Sequence, residues 1–212
     1  MIIAIDGPAA SGKGTLAKRI ALRYGLAHLD TGILYRAVAR DVIASGGSLD
    51  DPAGAERAAR MLDLSTLTDK GLRSRQFGEA ASIVAEYPNV RAVLLDAQRE
   101  FARRRHGAVL EGRDIGTVVC PDADIKLYVT ADIEERARRR YRELLELGEA
   151  VTQDAVLEDL RKRDERDTVR AASPMRKAEG AHLLDTTKLD IEAAFFAAVR
   201  LIDAAIGRAV ST

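Results

Sequence analysis

Short apolar runs alternate along the chain with longer amphipathic stretches. The apolar runs have the length of strands and are rich in β-branched residues and leucine, which suits burial on both faces of a sheet. They predict five strands, at residues 2–6, 27–30, 108–111, 125–130 and 181–185. Strands that alternate with helices are typical of a parallel sheet covered by helices. The sequence therefore predicts the α/β fold class.

The amphipathic stretches place their apolar residues with the period of a helix. They predict eight helices, at residues 13–24, 34–45, 53–62, 77–86, 90–104, 133–147, 152–163 and 191–206. Residues 50–104 and 134–179 contain no strand pattern and separate successive predicted strands. Both regions are therefore interpreted as insertions into the sheet-and-helix core.

Most of the predicted strands end in an acid or a hydroxyl. An open parallel sheet binds its ligands at the carboxyl ends of the strands. We therefore expect five strand-terminal residues to rim one crevice: Asp6, Asp30, Glu111, Thr130 and Asp185.

Composition and charge exclude several classes of protein. The 212 residues include 33 Lys and Arg against 33 Asp and Glu, and this zero net charge argues against a nucleic-acid polymer as partner. Cys120 is the single cysteine, so no internal disulfide forms, and three scattered histidines have no zinc-ligand spacing. No segment approaches the roughly 18 apolar residues of a membrane span. We expect a cytoplasmic protein with no membrane partner.

A glycine-rich loop separates the first strand from the first helix. Its backbone N–H groups would bind phosphates, Lys13 would reach the β and γ groups, and Thr15 would reach Mg²⁺. The motif predicts an ATP-binding loop made of Gly7, Pro8, Ala9, Ala10, Ser11, Gly12, Lys13, Gly14 and Thr15. Its Gly-Lys-Gly-Thr ending resembles nucleoside monophosphate kinases. A GTPase is not expected, because Asn89, the only asparagine, precedes Val90 and not the lysine of a guanine-binding motif.

An acid and several arginines suit phosphoryl transfer. Glu111 ends a buried strand at the position from which P-loop enzymes organise Mg²⁺, although an acid can also simply close a strand. Guanidinium groups neutralise the charge that develops on a transferring phosphate. One candidate follows the second strand, one follows the third strand, and three lie near the end of the second insertion. They are Arg36, Arg113, Arg163, Arg166 and Arg170.

The last three of these arginines share one face if their segment is helical. The alternative for that segment is a solvated charged helix. A solvated face is the interpretation that we favour for four further arginines, which are interspersed with glutamates: Arg138, Arg139, Arg140 and Arg142.

Six segments carry more specific patterns. They are GPAASGKGT at 7–15, LDTGILYRA at 29–37, EAASIVAEYPNVRAVL at 79–94, LEGRDIGTVVCPDADIKLYV at 110–129, RDERDTVRAASP at 163–174 and LLDTT at 183–187. Many kinases share the first segment, whereas the combination of DTG-x2-YR, EAAS, GRD-x-GTVV and RD-x2-RD-x2-R is specific to one family. On these segments nearly the whole chain resembles the bacterial cytidylate kinases, or (d)CMP kinases, which are P-loop nucleoside monophosphate kinases.

The resemblance implies a five-stranded parallel P-loop sheet with flanking helices, a helical monophosphate-binding insertion and a lid. It divides a single domain, residues 1–212, into a core at 1–35, 105–132 and 180–212, an insertion at about 36–104 and a lid at about 133–179. It implies an enzyme that transfers the γ-phosphoryl group of ATP to CMP or dCMP with Mg²⁺. A monomer is expected.

The resemblance also assigns roles to individual residues. The implied catalytic residues are Lys13, Arg113, Arg163 and Arg170, the last near the transferring phosphate. The implied residues for the acceptor phosphate and sugar are Thr31, Arg36, Arg113, Arg163 and Asp167. Thr15 and Glu111 would hold Mg²⁺, directly or through water.

The base would contact Ser82, Arg91 and Asp114. Cytosine presents an amino donor beside two acceptors, so a carboxylate facing the amine and an arginine or serine facing the acceptors complement its edge. Uracil places an acceptor where the amine was, which would leave Asp114 facing a lone pair. We therefore predict a preference for CMP and dCMP over UMP.

The chain departs from the family's pattern at two places. Residues 64–72 are too short for the three-stranded piece that many members carry in the insertion, and Thr31 stands where relatives often have serine. Two other functions stay open: a small-metabolite P-loop kinase, which would not need the three base-contacting residues, and a catalytically silent nucleotide-binding module.

Overall fold

One parallel sheet forms the centre of the molecule. The computed structural model describes residues 1–68 and 70–207. Within these ranges the strands are β1 (Ile2–Asp6), β2 (Ala27–Asp30), β3 (Ala108–Gly112), β4 (Ile125–Thr130) and β5 (His182–Asp185). All neighbouring strands are parallel, in the order β2-β3-β1-β4-β5. The predicted fold class and strands are confirmed, with shifts of one residue at β3 and β5.

The described ranges contain eight α-helices. They are α1 (Lys13–Tyr24), α2 (Thr31–Ala44), α3 (Pro52–Arg60), α4 (Arg75–Val84), α5 (Pro88–Ala102), α6 (Ile133–Glu146), α7 (Gln153–Val169) and α8 (Ile191–Ala205). Each corresponds to a predicted helix, and most ends agree within two residues.

Two helices are longer than predicted. Helix α2 begins directly after β2, and α7 continues six residues beyond its predicted end. The added part of α7 is highly charged and has no apolar period by which the sequence could predict it. Ion pairs with other elements stabilise it, including Arg136–Asp164 with α6 at 2.7 Å.

Three short helical segments have no predicted counterpart. Leu64–Thr68 and Lys70–Arg73 are 3₁₀ turns, and Ile115–Val119 is a π-helical turn. The described part of residues 64–72 thus forms turns. This agrees with the expectation that the segment is too short for a three-stranded piece. Asp69, and residues 208–212 of the expected core, lie outside the described residues.

The apolar core is divided among several clusters. Ile3 and Ile5 of β1 pack with α1 and α8, whereas Ala4 packs on the opposite face of the sheet with Leu110. The first insertion and the α6–α7 pair have apolar clusters of their own, which include Val38 and Leu144 respectively. Separate clusters allow a cleft to form where these regions meet the sheet.

Candidate active site

A cleft of about 1250 Å³ is bordered by the loop after β1, the turn after β3, the loop after β5 and helices α2, α4, α5, α6 and α7. Most residues that the sequence singled out line it: Ala9, Ala10, Gly12, Lys13, Gly14, Thr15, Thr31, Arg36, Ser82, Arg91, Glu111, Arg113, Asp114, Arg163, Asp167 and Arg170. Gly7, Pro8 and Ser11 of the loop are buried and do not belong to this lining.

The expected rim of five strand-terminal residues is only partly correct. Asp30 and Glu111 line the cleft, but the other three do not. Asp185 accepts hydrogen bonds from Thr187, and the Thr130 carbonyl accepts from Thr186. These bonds tie the two strand ends to the loop after β5 instead of directing them into the cleft.

The loop of residues 7–15 is shaped to receive an anion. Gly12 has a positive φ of 88° and immediately precedes α1, whose first turn has N–H groups without partners inside the helix. Lys13 Nζ donates to the Pro8 carbonyl at 3.3 Å. Burial, followed by the nearby Arg113, lowers the pKa of Lys13 to about 7. A phosphate beside the amine would restore its charge.

Glu111 packs tightly against Gly14, the residue that follows Lys13. A Cβ at Gly14 would lie 3.2 Å from both carboxylate oxygens of Glu111, closer than ordinary contact. Oε1 of Glu111 also lies 3.1 Å from Nε2 of His28 on β2. The sequence predicts no role for His28, because only the register of β2 against β3 brings the two residues together.

Oxygen groups of the kind that Mg²⁺ prefers line this side of the cleft. They are the Thr15 hydroxyl and the carboxylates of Asp30 and Glu111. Within the described residues, no three His, Cys, Asp or Glu side chains lie close enough to hold a metal ion by themselves. A magnesium ion fits this side only if nucleotide phosphates supply further ligands.

Half-buried arginines surround another part of the cleft. Arg113 Nε donates to Asp167 Oδ2 at 2.8 Å, and Arg163 Nε lies 3.9 Å from the same oxygen. Arg36 Nη1 donates to the Leu72 carbonyl at 2.8 Å. Burial and then neighbouring arginines lower the pKa of Arg163 to about 9 and that of Arg36 to about 10. This excess of partly buried positive charge favours an anionic ligand.

Polar groups beside the arginines have unused bonding capacity. Asp114 accepts a hydrogen bond from Arg91, and its Oδ1 lies 3.6 Å from Nη2 of Arg170. The Arg91 guanidinium lies over the Tyr35 ring, 5.4 Å from its centroid. Among the described residues, buried polar atoms without a hydrogen-bond partner include Ser82 Oγ, Arg91 Nε and Arg170 Nη2. A ligand with a polar edge would satisfy them.

Helix α6 contributes residues that the sequence interpretation missed. Arg139 donates from Nη2 to the Thr186 carbonyl at 2.7 Å, and Arg140 donates from Nη2 to the Arg73 carbonyl at 2.9 Å. The solvated-face interpretation is therefore wrong for these two arginines, although it holds for Arg138 and Arg142, which are exposed at the cleft's rim. The spacing of charged residues along a helix does not by itself distinguish a solvent-exposed face from a face that borders a cleft.

Arg166 also lies differently from the expectation. Its Nε contacts Glu86 Oε1 at 3.1 Å, and it does not line the cleft with Arg163 and Arg170. The expected common face is wrong for Arg166: both Arg163 and Arg170 lie within 4 Å of Asp167, whereas Arg166 pairs with Glu86.

Asp6 is buried, only 3% exposed, and faces the turn after β3. Its Oδ1 accepts from the Ile115 N–H at 2.7 Å, and its Oδ2 accepts from the Gly116 N–H at 2.8 Å. Burial raises the pKa of Asp6 to about 6, against the opposing effect of these two hydrogen bonds. Asp6 thus joins β1 to the turn that carries Arg113 and Asp114.

The chain matches the family model for cytidylate kinase over residues 3–203. The chain belongs to the cytidylate kinase family. Curated proteins named cytidylate kinase agree with this match. The one from Methylocella silvestris is 60% identical over 97% of this chain and 95% of its own length. Those from Xanthobacter autotrophicus and Rhizobium meliloti are 59% and 57% identical, over 96% and 97% of this chain and 98% and 97% of their own lengths.

The solved structures support the fold of this cytidylate kinase family member. The crystal structure of an uncharacterized protein from Eubacterium ventriosum has a TM-score of 0.57, with 96% of this chain and 99% of that chain covered. Its sequence identity is 17%, so the likeness concerns the fold and not the activity.

The raised pKa of Asp6 predicts a pH-dependent contribution to stability in this family member. Because its pKa is about 6 in the folded protein, above the ordinary aspartate value of 3.8, the folded state holds the proton more tightly. This contribution is present below the unfolded pKa and is lost as the pH rises towards the folded pKa. We expect wild type to lose roughly 2 kcal/mol relative to Asp6→Asn between about pH 4 and about pH 7.

Urea unfolding of both proteins across this pH range measures the difference. Asp122→Asn, at an exposed aspartate, serves as the control for the substitution itself. A difference between wild type and Asp6→Asn that does not change with pH would contradict the assignment.

Proposed function

We propose that the chain is an ATP-dependent kinase that transfers the γ-phosphoryl group of ATP to CMP or dCMP, giving ADP and CDP or dCDP. The observation that carries the proposal is one cleft that joins a phosphate-binding loop, a group of half-buried arginines and a set of base-complementary polar groups. Family membership and the name shared by the relatives support the same reaction.

ATP would occupy the loop side of the cleft. The loop's N–H groups and Lys13 would bind the β and γ phosphates. Mg²⁺, which nucleotide phosphates would help to hold, would bind through Thr15 and Glu111 and neutralise developing charge. Asp30 is a third oxygen group on this side, 3.4 Å from Arg73 through Oδ2.

The acceptor phosphate would lie among Arg36, Arg113 and Arg163. Asp167 keeps a carboxylate between Arg113 and Arg163, and these arginines hold its pKa below the usual range although burial alone would raise it. A dianionic phosphate would relieve the repulsion among the cations. Thr31 also lines the cleft and would approach the same phosphate. Its hydroxyl donates to the Glu111 carbonyl at 2.8 Å, which holds the side chain in place.

Cytosine would bind beside Ser82, Arg91 and Asp114. The carboxylate of Asp114 would accept from the amino group of the base, while Ser82 and Arg91 have unsatisfied atoms for its acceptors. In the proposed complex, Asp167 and Arg163 would also contact the sugar. Ser82 and Arg91 thus have polar atoms free to bind the base, and Asp114 supplies the carboxylate for its amino group.

The transfer needs no general base from the protein. The nucleophile is a phosphate oxygen whose second ionisation has a pKa near 6, so it is largely ionised at neutral pH. Alignment of donor and acceptor and neutralisation of charge would supply the catalysis. Closure of the lid, for which we retain residues 133–179, would exclude water from the γ-phosphate.

Three expectations from the sequence stay predictions. They are the division of the chain into core, insertion and lid, the monomeric state and the cytoplasmic location. Among residues 1–68 and 70–207, no helix has the length and apolar character needed to cross a membrane.

The test of the function is a coupled assay of ADP release with ATP and Mg²⁺. CMP, dCMP, UMP, AMP, GMP, shikimate and gluconate are supplied in parallel as acceptors. We expect fast turnover with CMP and dCMP only. Turnover with shikimate or gluconate would favour a small-metabolite kinase, and turnover with none would favour a nucleotide-binding module.

Base selection is expected to depend on Asp114. Asp114→Ala removes the acceptor that faces the amino group, so the ratio of kcat/KM for CMP to that for UMP should fall by at least about tenfold. Asp122→Ala, at an exposed aspartate outside the cleft, should leave the ratio unchanged. An unchanged ratio in a folded Asp114→Ala protein would refute this role.

Arg170 is expected to act mainly on the transition state. It is buried and lies 3.6 Å from Asp114 and 3.8 Å from Asp167, which itself binds Arg113. Arg170→Ala should lower kcat on the order of 10²-fold. Arg166→Ala removes a nearby arginine that pairs with Glu86 outside the cleft, and it should have little effect. A raised KM with unchanged kcat for Arg170→Ala would exclude the role.

A further inference from the structure

We propose that Asp6 is a positioning residue for the acceptor nucleotide, because its carboxylate fixes the turn that presents Arg113 and Asp114 to the cleft. The inference rests on the proposed function, since it assigns Asp6 to the binding of that acceptor. Asp6 itself does not line the cleft. It would act entirely through the backbone of the turn.

The carboxylate holds the turn at a defined point. Asp6 is the last residue of β1 and stands in register with Gly112, the last residue of β3. The sheet therefore fixes the chain at Gly112, and the two carboxylate oxygens fix it again at Ile115 and Gly116. The residues between these anchors are Arg113 and Asp114. Both of their side chains start from a segment that is held at its two ends.

Close packing around the turn supports the same role. A Cβ at Gly112 would lie 2.6 Å from Thr31 Oγ1 and 2.8 Å from Ile115 Cδ1. A Cβ at Gly116 would lie 3.4 Å from Asp6 Oδ2 and 3.2 Å from the Ala178 Cβ. A side chain at Gly112 would force its neighbours to move, whereas an alanine at Gly116 would need shifts of only a few tenths of an ångström. Small residues and the carboxylate together specify one backbone path.

A role in folding alone would not call for a carboxylate here. Burial of a charged carboxylate is unfavourable, and two backbone N–H groups offset that only in part, as the raised pKa of Asp6 indicates. A carboxylate does, however, offer two equivalent acceptors, one for each N–H group. An asparagine of the same shape offers one acceptor, and its NH₂ group would face the second N–H.

The experiment compares acceptor and donor parameters in wild type, Asp6→Asn and Asp124→Asn. Asp124 is a matched control, because its Oδ2 accepts from the Ile2 N–H at 2.6 Å at the opposite end of β1. For Asp6→Asn we expect the KM for CMP to rise on the order of tenfold and the CMP-to-UMP preference to fall by a similar factor. The KM for ATP should change by less than about twofold, because the lost bond holds the turn and not the loop. Asp124→Asn should change none of these values.

Calorimetric titration of each protein with CMP and, separately, with ATP gives a readout without turnover. Weaker CMP binding by Asp6→Asn, with ATP binding retained, would support the positioning role. Equal losses for ATP and CMP, or wild-type values for both in the folded variant, would overturn it. If Asp6→Asn does not fold, Gly116→Ala disturbs the same contact from the turn's side and should give the same pattern. Failure of both variants to fold would overturn the proposal in favour of a purely structural role.

The outcomes separate this inference from the proposed function. A wild-type protein that neither binds nor phosphorylates CMP would refute the proposed function. If wild type phosphorylates another acceptor, the same comparison with that acceptor still tests whether Asp6 positions the turn. If wild type phosphorylates CMP and the Asp6→Asn protein matches it, only the role of Asp6 fails.

Discussion

Mutual repulsion among partly buried guanidinium groups is the constraint on which the cleft depends. Arg113, Arg163 and Arg170 come from two separate parts of the chain, and the carboxylate of Asp167 lies within 4 Å of all three. Without that carboxylate, the repulsion among these three cations would have no opposing charge at the centre of the group. Asp167 thereby makes it possible to collect positive charge before any phosphate is present.

The same ion pairs join the parts of the molecule that border the cleft. Asp167 links α7 to the turn after β3, and Asp114 links that turn to Arg91 on α5. Arg136 of α6 is only 6% exposed and pairs with Asp164 of α7. Charges that would bind substrate therefore also set the geometry of the unliganded protein. Such preorganisation lowers the reorganisation needed when charge develops during phosphoryl transfer.

The close approach of one backbone segment to another is a second constraint, and it requires glycine at particular positions. Gly7 has a φ of 147°, and a Cβ there would lie 1.9 Å from the Val129 carbonyl, so the loop can run against β4 only with glycine. Gly14 gives Glu111 access to the loop in the same way. At Gly14 the constraint is weaker than at Gly7, because the neighbouring atoms belong to a side chain and lie 3.2 Å from a Cβ there.

The sequence by itself determined the strands, most of the helices and the place of the glycine-rich loop before α1, because each depends on residues near one another in the chain. It did not determine the direction of individual side chains. Asp6 ends a strand as predicted, yet its hydrogen-bond partners are 109 and 110 residues away. Arg139 and Arg138 are adjacent in one charged helix, but only Arg139 reaches the loop after β5. Tertiary structure alone decided these contacts, since the partner of a polar side chain is set by strand register and helix packing over long separations.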